Sequence, residues 1–543
     1  MKRTFLRVAA PVAVAALALT ACSGSNDGGN GGSEGGSAAA SGEVIITNGS
    51  EPQNPLIPTN TNEVGGGKVV DLIFSGLMYY DKDGAAQLDM AEAIETEDHQ
   101  TFTVKLKEGQ KFSDGSPVTA KNFVDAWNQG VREDHLSSYF FEPIKGFPEG
   151  EEKVEEMEGL KVVDDNTFTI ELKQPEADFE LRLGYSAFFP LPEAGVGDAE
   201  AVKAFGEKPV GNGPYMFDGD NAWERNVAIK LVPNPEYDGP RKAQNGGIEF
   251  KFYAQQDAAY NDLLSGVIDV LDAVPDSAFG TFENELSGRA VNQPSAIFQS
   301  FTIPERLAHF SGEEGNLRRQ AISMAINREE ICATIFQNTR TPAKDFTSPV
   351  IAGWNENVPG SEVTNFDPEK AKELWAKADE LSPWDGKFEL AYNSDGGHQA
   401  WVDAATNSIK NTLGIDAVGK PYPDFKSLRQ EVTERKIETA FRTGWQADYP
   451  SMANFLGPLY GTGAGSNDGD YSNAAFDELL TKAAAAESVD AGNKLLLDAQ
   501  SVLFEDLPAI PLWYSNVSGG YAEGVDNVVF GWNSVPIYYQ ITK

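Results

Sequence analysis

The chain has 543 residues, enough for two to four structural units at about 100–200 residues each. A hydrophobic share of 41% and an aromatic share of 10% fit a folded protein with a substantial core and exclude a disordered chain. The formal net charge of −39 repels nucleic acid and anionic headgroups and argues against both as partners.

The chain opens with Lys2, Arg3 and Arg7, then an apolar run from Val8 to Leu19, then the small residues Thr20 and Ala21. A charged start, a short apolar middle and a small-residue cut form a secretory signal, here residues 1–21. The run is too short for a membrane span, which needs about 20 apolar residues. Leu19-Thr20-Ala21-Cys22 resembles the bacterial lipobox. The resemblance implies cleavage before Cys22, lipidation there, and a mature protein held on the outer face of the cell membrane. Residues 23–42 are rich in Gly, Ser and Ala, without apolar periodicity. They read as a flexible tether spanning roughly 25 Å. The only other cysteine is Cys332, so no internal disulfide is expected. Its neighbours Ile331, Ile335 and Phe336 mark it as a buried hydrophobe.

Beyond the tether the pattern is mixed α/β. Thr101 to Leu106 and Asn166 to Leu172 alternate with period two and predict strands. Thr119 predicts the N-cap of a helix burying Phe123, Val124, Trp127 and Val131. Asp367-Pro368 predicts a cap followed by proline in the first turn, with Ala371, Leu374, Trp375 and Ala378 on the inner face. Phe476, Leu479, Leu480 and Ala483 repeat that spacing. Breaks at Glu142–Glu151, Glu207–Pro214 and Gly457–Gly469 fit either domain edges or long loops.

Signals for catalysis or metal binding are weak. Gly31-Gly32-Ser33-Glu34-Gly35 matches a nucleophile motif in letters, but no strand precedes it and no helix follows. The four histidines are scattered singly, so neither a metal nor another cofactor is expected. Arg442-Thr443-Gly444-Trp445-Gln446-Ala447-Asp448-Tyr449 is different: it places a cation, an aromatic and an anion along one short segment. On an extended chain Arg442, Gly444, Gln446 and Asp448 share a face, which suits a zwitterion laid along it. The same letters suit a buried strand with Trp445 in the core.

Several blocks stand in the order found in the solute-binding proteins of bacterial peptide importers. They include Phe74-Ser75-Gly76-Leu77, Val104-Lys105-Leu106-Lys107-Glu108-Gly109, Lys111-Phe112-Ser113-Asp114-Gly115, Gly211-Asn212-Gly213-Pro214-Tyr215, Arg318-Arg319-Gln320-Ala321-Ile322 and Ile326-Asn327-Arg328. From Val44 onward the chain resembles that family, which includes the oligopeptide- and dipeptide-binding proteins. The resemblance implies a two-lobed α/β periplasmic-binding fold of class II type, with an extra domain in the first lobe and a hinge. Its expected borders are 43–63, 200–296 and 512–543 for the first lobe, 64–199 for the extra domain and 297–511 for the second lobe. It implies a non-enzymatic, monomeric protein that captures short peptides and delivers them to the permease subunits of an ABC transporter.

By the same resemblance Asp448 takes the peptide's α-ammonium, and the backbone at Gly444 and Gln446 pairs with the peptide as with an added strand. Arg442 and His398 meet the far carboxylate, Trp445 and Phe425 wall side-chain pockets, and Glu51 and Tyr139 line the first lobe's side. A lysine that some oligopeptide binders carry is replaced here by Ser323. Relatives on this scaffold also bind oligosaccharides, nickel complexes or other small molecules. A sugar oligomer is therefore the competing solute, for which Trp401, Trp445, Tyr449 and Tyr460 offer stacking faces.

Overall fold

The strands and helices expected from period and capping form in the computed structural model, which describes residues 42–148, 154–394, 397–423 and 425–543. The signal, Cys22, the nucleophile-like glycine motif and nearly all of the tether lie outside the described residues. Thr101–Leu106 is a strand with Phe102, Val104 and Leu106 buried, and Thr167–Glu171 pairs with it antiparallel. With Ala91–Glu95 and Leu160–Asp164 they form a four-stranded sheet. The helix Ala120–Arg132 lies over that sheet and inserts Trp127 among Phe141, Phe168 and Phe188, with ring centroids 5.2–5.9 Å apart. At its start Asn122 Oδ1 accepts from the Thr119 amide at 2.8 Å and from its hydroxyl at 2.9 Å, tying the first turn to its cap.

A second, mixed sheet runs through the rest of the described residues. From one edge its strands are Ala417–Tyr422, Phe388–Asn393, Ala440–Gln446, Ala290–Thr302, Ala509–Tyr521, Val270–Leu271, Val44–Gly49, Gly247–Phe252, Ala228–Pro233 and Tyr215–Phe217. Two of these, Ala290–Thr302 and Ala509–Tyr521, are long antiparallel strands spanning two separate hydrophobic cores. One core gathers side chains from Ile45 to Leu286 and from Val517 to Ile541. The other gathers them from Ala296 to Tyr514. The exceptions cross over: Tyr449 packs into the first core and Trp532 into the second.

The ladder between the long strands breaks between Pro294 and Phe298. Proline has no amide hydrogen to donate, so a break there costs little. The freed groups find other partners: the Ala296 amide donates to the Trp532 carbonyl at 2.9 Å, and the Ser348 hydroxyl donates to the Ser295 carbonyl at 2.8 Å.

Most blocks that carry the resemblance prove to be structural. Arg318 is fully buried, donating to Glu314 and Asp379 with Trp375 4.5 Å from its guanidinium carbon. Arg328 donates to the carbonyls of Ser323, Thr364 and Pro511 and to the Ser323 hydroxyl. Ser323 is thus a buried support for Arg328 inside the second core's half, not a residue at a ligand. In the glycine block a Cβ on Gly211 would collide with the Ile73 carbonyl. Between the glycines, Asn212 bonds both the amide and the carbonyl of Ser75. That clamp fixes the end of the helix Val64–Ile73.

One expected break differs. Gly457 and Pro458 fall inside the helix Ala453–Tyr460, where Phe455, Leu456 and Tyr460 are buried. Apolar burial outweighs the helix penalty of glycine and proline there. Cys332 is buried, and burial pushes its thiol up to about 12. The helix Pro368–Leu381 begins as predicted, with Asp367 Oδ1 accepting from the Lys370 amide at 2.9 Å. Asp367→Ala removes that cap. It is expected to cost about 1 kcal/mol, read by urea unfolding against the parent.

Candidate functional site

The helix Val64–Ile73 carries three consecutive glycines, and its first turn is capped by Glu63, both of whose carboxylate oxygens accept from the Gly66 amide at 2.9 Å. A side chain on Gly65 or Gly66 would strike Ser50 or Glu63, while the space beside Gly67 is open. Gly67 and Asp71, one turn apart, face the same way. They look into a cavity of about 420 Å³ between the two halves of the molecule. Tyr79, Tyr80 and Tyr185 line it from the first core's half, Gln446, Ala447 and Asp448 from the second, and the segment from Trp532 to Tyr539 crosses beside it. Its volume lies within the roughly 300–1,000 Å³ typical of small-molecule sites.

Asp448 lies two residues beyond the end of the strand Ala440–Gln446. Its amide donates to Asn454 Oδ1 at 2.9 Å, and Asn454 Nδ2 donates to its Oδ2 at 3.1 Å. Its Oδ1 accepts no hydrogen bond from the described residues. Burial pushes the carboxyl up to about 6, with the Asn454 bond opposing. Burial, and then the Asp448 charge, also raise the hydroxyls of Tyr139 and Tyr185 well above the usual tyrosine range. A desolvated, half-satisfied carboxylate among neutral hydroxyls is a site for a cation.

The strand leading to Asp448 has one bare edge. It pairs with Ala290–Thr302 from Ile297↔Gln446 to Thr302↔Phe441. On the other side Phe388–Asn393 pairs only at Ala440 and Phe441. Among the described residues nothing forms a ladder with that edge from Thr443 to Gln446, which leaves it able to take an added strand.

Arg442, Gly444, Trp445 and Phe425 line a second cavity of about 230 Å³. Arg442 Nε donates to Asn393 Oδ1 at 2.9 Å, and its guanidinium lies 5.2 Å from the Phe425 ring centre. Trp445 Nε1 donates at 3.3 Å to Asn454 Oδ1, the atom that also holds the Asp448 amide. Asn454 therefore links a lining residue of one cavity to a lining residue of the other. Tyr139 lines a third, of about 340 Å³, together with Phe140, Tyr449 and Asn454.

The expected residues are thus divided. Asp448 and Gln446 share the main cavity, while Arg442, Gly444, Trp445 and Phe425 share the second. His398 lines none of the three; its Nδ1 accepts from Trp401 Nε1 at 3.1 Å at the start of the helix Gln399–Leu413. Glu51 also stands apart, its carboxylate accepting from Trp223 Nε1, Arg225 and the Asn226 amide. Those bonds hold a turn and leave Glu51 no place in the cavity walls. Of the four aromatic residues suited to sugar stacking, Trp401, Tyr449 and Tyr460 are buried, and Trp401 packs edge-on against Trp513. Asn454, Asp71 and Tyr185 were not singled out by the sequence. Spacing marks Asp71 only as the polar side of a helix, and nothing marks Asn454.

The chain is similar to known proteins over most of its length. The family described as bacterial extracellular solute-binding proteins, family 5, middle region, matches residues 85–467. The chain is 27% identical over 468 residues to the periplasmic murein peptide-binding protein MppA of Escherichia coli, covering 83% of each. It is 24% identical over 506 residues to the oligopeptide-binding protein OppA of Bacillus subtilis, covering 88% of this chain and 89% of that one. Among solved structures, Haemophilus influenzae OppA in complex with the peptide RPPGFSPFR superposes with a TM-score of 0.72 at 21% identity, over 93% of this chain and 99% of that one. That likeness concerns the fold, which is two-lobed and of mixed α/β structure. With more than half of its length matched, the chain belongs to family 5 of the bacterial extracellular solute-binding proteins.

Proposed function

We propose that the protein captures oligopeptides in the cleft between its lobes and delivers them to an ABC importer. The observation that carries this reading is the half-buried Asp448 carboxylate at the cavity wall, just beyond the strand edge without a ladder at Thr443–Gln446. The peptide's α-ammonium pairs with Asp448, and its backbone adds to the edge as a further strand. Pairing through amides ignores side chains, while the charge-assisted bond sets direction. The relatives named for murein peptides and oligopeptides support the ligand class. The reading includes borders at 43–63, 200–296 and 512–543 for one lobe, 64–199 as an insertion into it and 297–511 for the other; the two cores support the division near 296, while Leu512, Trp513 and Tyr514 pack in the second core.

Titration calorimetry with tri- to pentapeptides is expected to show binding, and Nα-acetylation of the same peptides to abolish most of it. Equal affinity for free and acetylated peptides removes Asp448 from this role.

The reading includes a lipid anchor at Cys22 with residues 23–42 as tether, supported by the lipobox-like residues and the signal before them. Among the described residues no helix is long and apolar enough to cross a membrane. Cys22→Ser is expected to move the protein from the membrane fraction to the soluble fraction of its host. Retention of the variant in the membrane fraction contradicts a lipid anchor.

A further inference from the structure

We infer that Asp71 makes the cleft selective for peptides whose first residue carries a basic side chain, the α-ammonium pairing with Asp448 and the side-chain cation with Asp71. The inference rests on the peptide reading above and names a substrate class within it.

The two carboxylates come from opposite lobes and line the same cavity. Both act on the same hydroxyls: after burial, the charges of Asp71 and Asp448 are among the groups that raise Tyr80 and Tyr185. Both therefore act across the same cavity, whose lining includes Tyr80 and Tyr185. The Asp71 carboxylate accepts no hydrogen bond from the described residues. Burial pushes it up to about 6, with Arg241 opposing. A carboxylate in that condition is stabilised by a cation that arrives with the ligand.

The cavity's own cations are already engaged. Arg241 donates to Asp89 at 3.1 Å, to the backbone carbonyls of Asp71 and Phe74 at 2.7 and 3.1 Å, and to the Ser75 hydroxyl at 2.6 Å. Lys68 is paired with Asp272, which is itself held by Asn48 at 2.6 Å. Each lining cation thus has a carboxylate partner, Asp89 or Asp272, that is not a lining residue. On the other side Glu63 and Asp81 also line the cavity, their carboxylates accepting backbone amides. The surplus charge facing the ligand is negative.

The remaining walls suit a long aliphatic stem. Tyr80 and Trp532 meet edge to face at 5.5 Å, and both line the cavity beside Tyr185. An apolar wall with an anion at its end holds lysine or arginine by stem and head together. The open space beside Gly67, one turn before Asp71, leaves room for that stem.

The test is calorimetry of the protein at pH 7.5 with Lys-Ala-Ala, norleucine-Ala-Ala and Ala-Ala-Ala. Norleucine keeps most of the stem and lacks the charge. Lysine is expected to bind about 10- to 100-fold more tightly than norleucine, the range of one charge-assisted contact. Asp71→Asn is expected to bring the two within about twofold of each other, leaving Ala-Ala-Ala unchanged. Equal affinity of the lysine and norleucine peptides for the unmutated protein overturns the inference without any variant. So does a lysine preference that survives Asp71→Asn, or an equal loss for all three peptides in that variant. If Ala-Ala-Ala and the norleucine peptide bind but lysine gains nothing, only this inference falls. If none of the three binds, the peptide reading falls with it.

Discussion

Asp448→Asn is expected to lower the affinity for a free tripeptide about 100-fold and, in the same protein, to raise the stability of the empty form. Truncating one partner of a desolvated charge pair costs roughly 2–5 kcal/mol, and about 1.4 kcal/mol is tenfold. The amide is nearly isosteric and keeps a hydrogen-bonding partner in Asn454. Stability moves the other way for an electrostatic reason. The Asp448 carboxyl titrates at about 6 in the folded chain against an ordinary value of 3.8. The folded state therefore holds the proton more tightly than the unfolded one. Stability falls as pH rises from about 4 to about 6 and stays lower above that window. Two pK units correspond to about 3 kcal/mol, a ceiling on what the amide recovers at neutral pH. Calorimetric melting at pH 7.5 and at pH 4 checks this: the variant's advantage is expected at the higher pH and not at the lower. A variant that melts earlier at pH 7.5 and still binds peptide contradicts the assignment of Asp448 as an ammonium site.

Peptide affinity is expected to pass through a maximum between about pH 6 and pH 8. Binding requires Asp448 ionised and the peptide amine protonated. Below about 6 the carboxyl must release a proton to bind, so affinity falls about tenfold per pH unit. Above about 8 the free amine, with an ordinary value of about 7.7–8, loses its charge. Lys68, which burial lowers to about 8, loses its charge over the same alkaline range. A peptide with a basic first residue is expected to show a steeper acid limb, because Asp71 also titrates at about 6. Calorimetry from pH 4.5 to 9 measures both limbs. Asp448→Asn is expected to flatten the acid limb for a neutral first residue, and an acid limb unchanged in that variant assigns it to another group.

Local patterning carried much of the reading. The period-two strands, the Asp367-Pro368 cap and the buried faces of the helices after Thr119 and Asp367 stand where their letters place them, because each depends on neighbours within a few residues. The segment from Arg442 to Asp448 was visible as an extended stretch of chemistry, and it forms a strand with its outer residues turned to cavities. Other expectations depended on distant parts of the chain. Glu51 is held by a turn at 223–226, and Ser323 is claimed by Arg328. Gly457 and Pro458 join a helix because its apolar side chains are buried.

By itself the sequence determined the kind of those elements that carry a clear period or cap, and the family to which their order belongs, since hydrophobic period and capping are local properties of a chain. Only the tertiary structure decided that Asp71 and Asp448, from opposite lobes, share one cavity and that its cations are already neutralised. A polar helix face reads the same in sequence whether it meets bulk water or a desolvated cleft. The difference lies in the surrounding dielectric and in the remaining partners, which distant segments supply when they fold together.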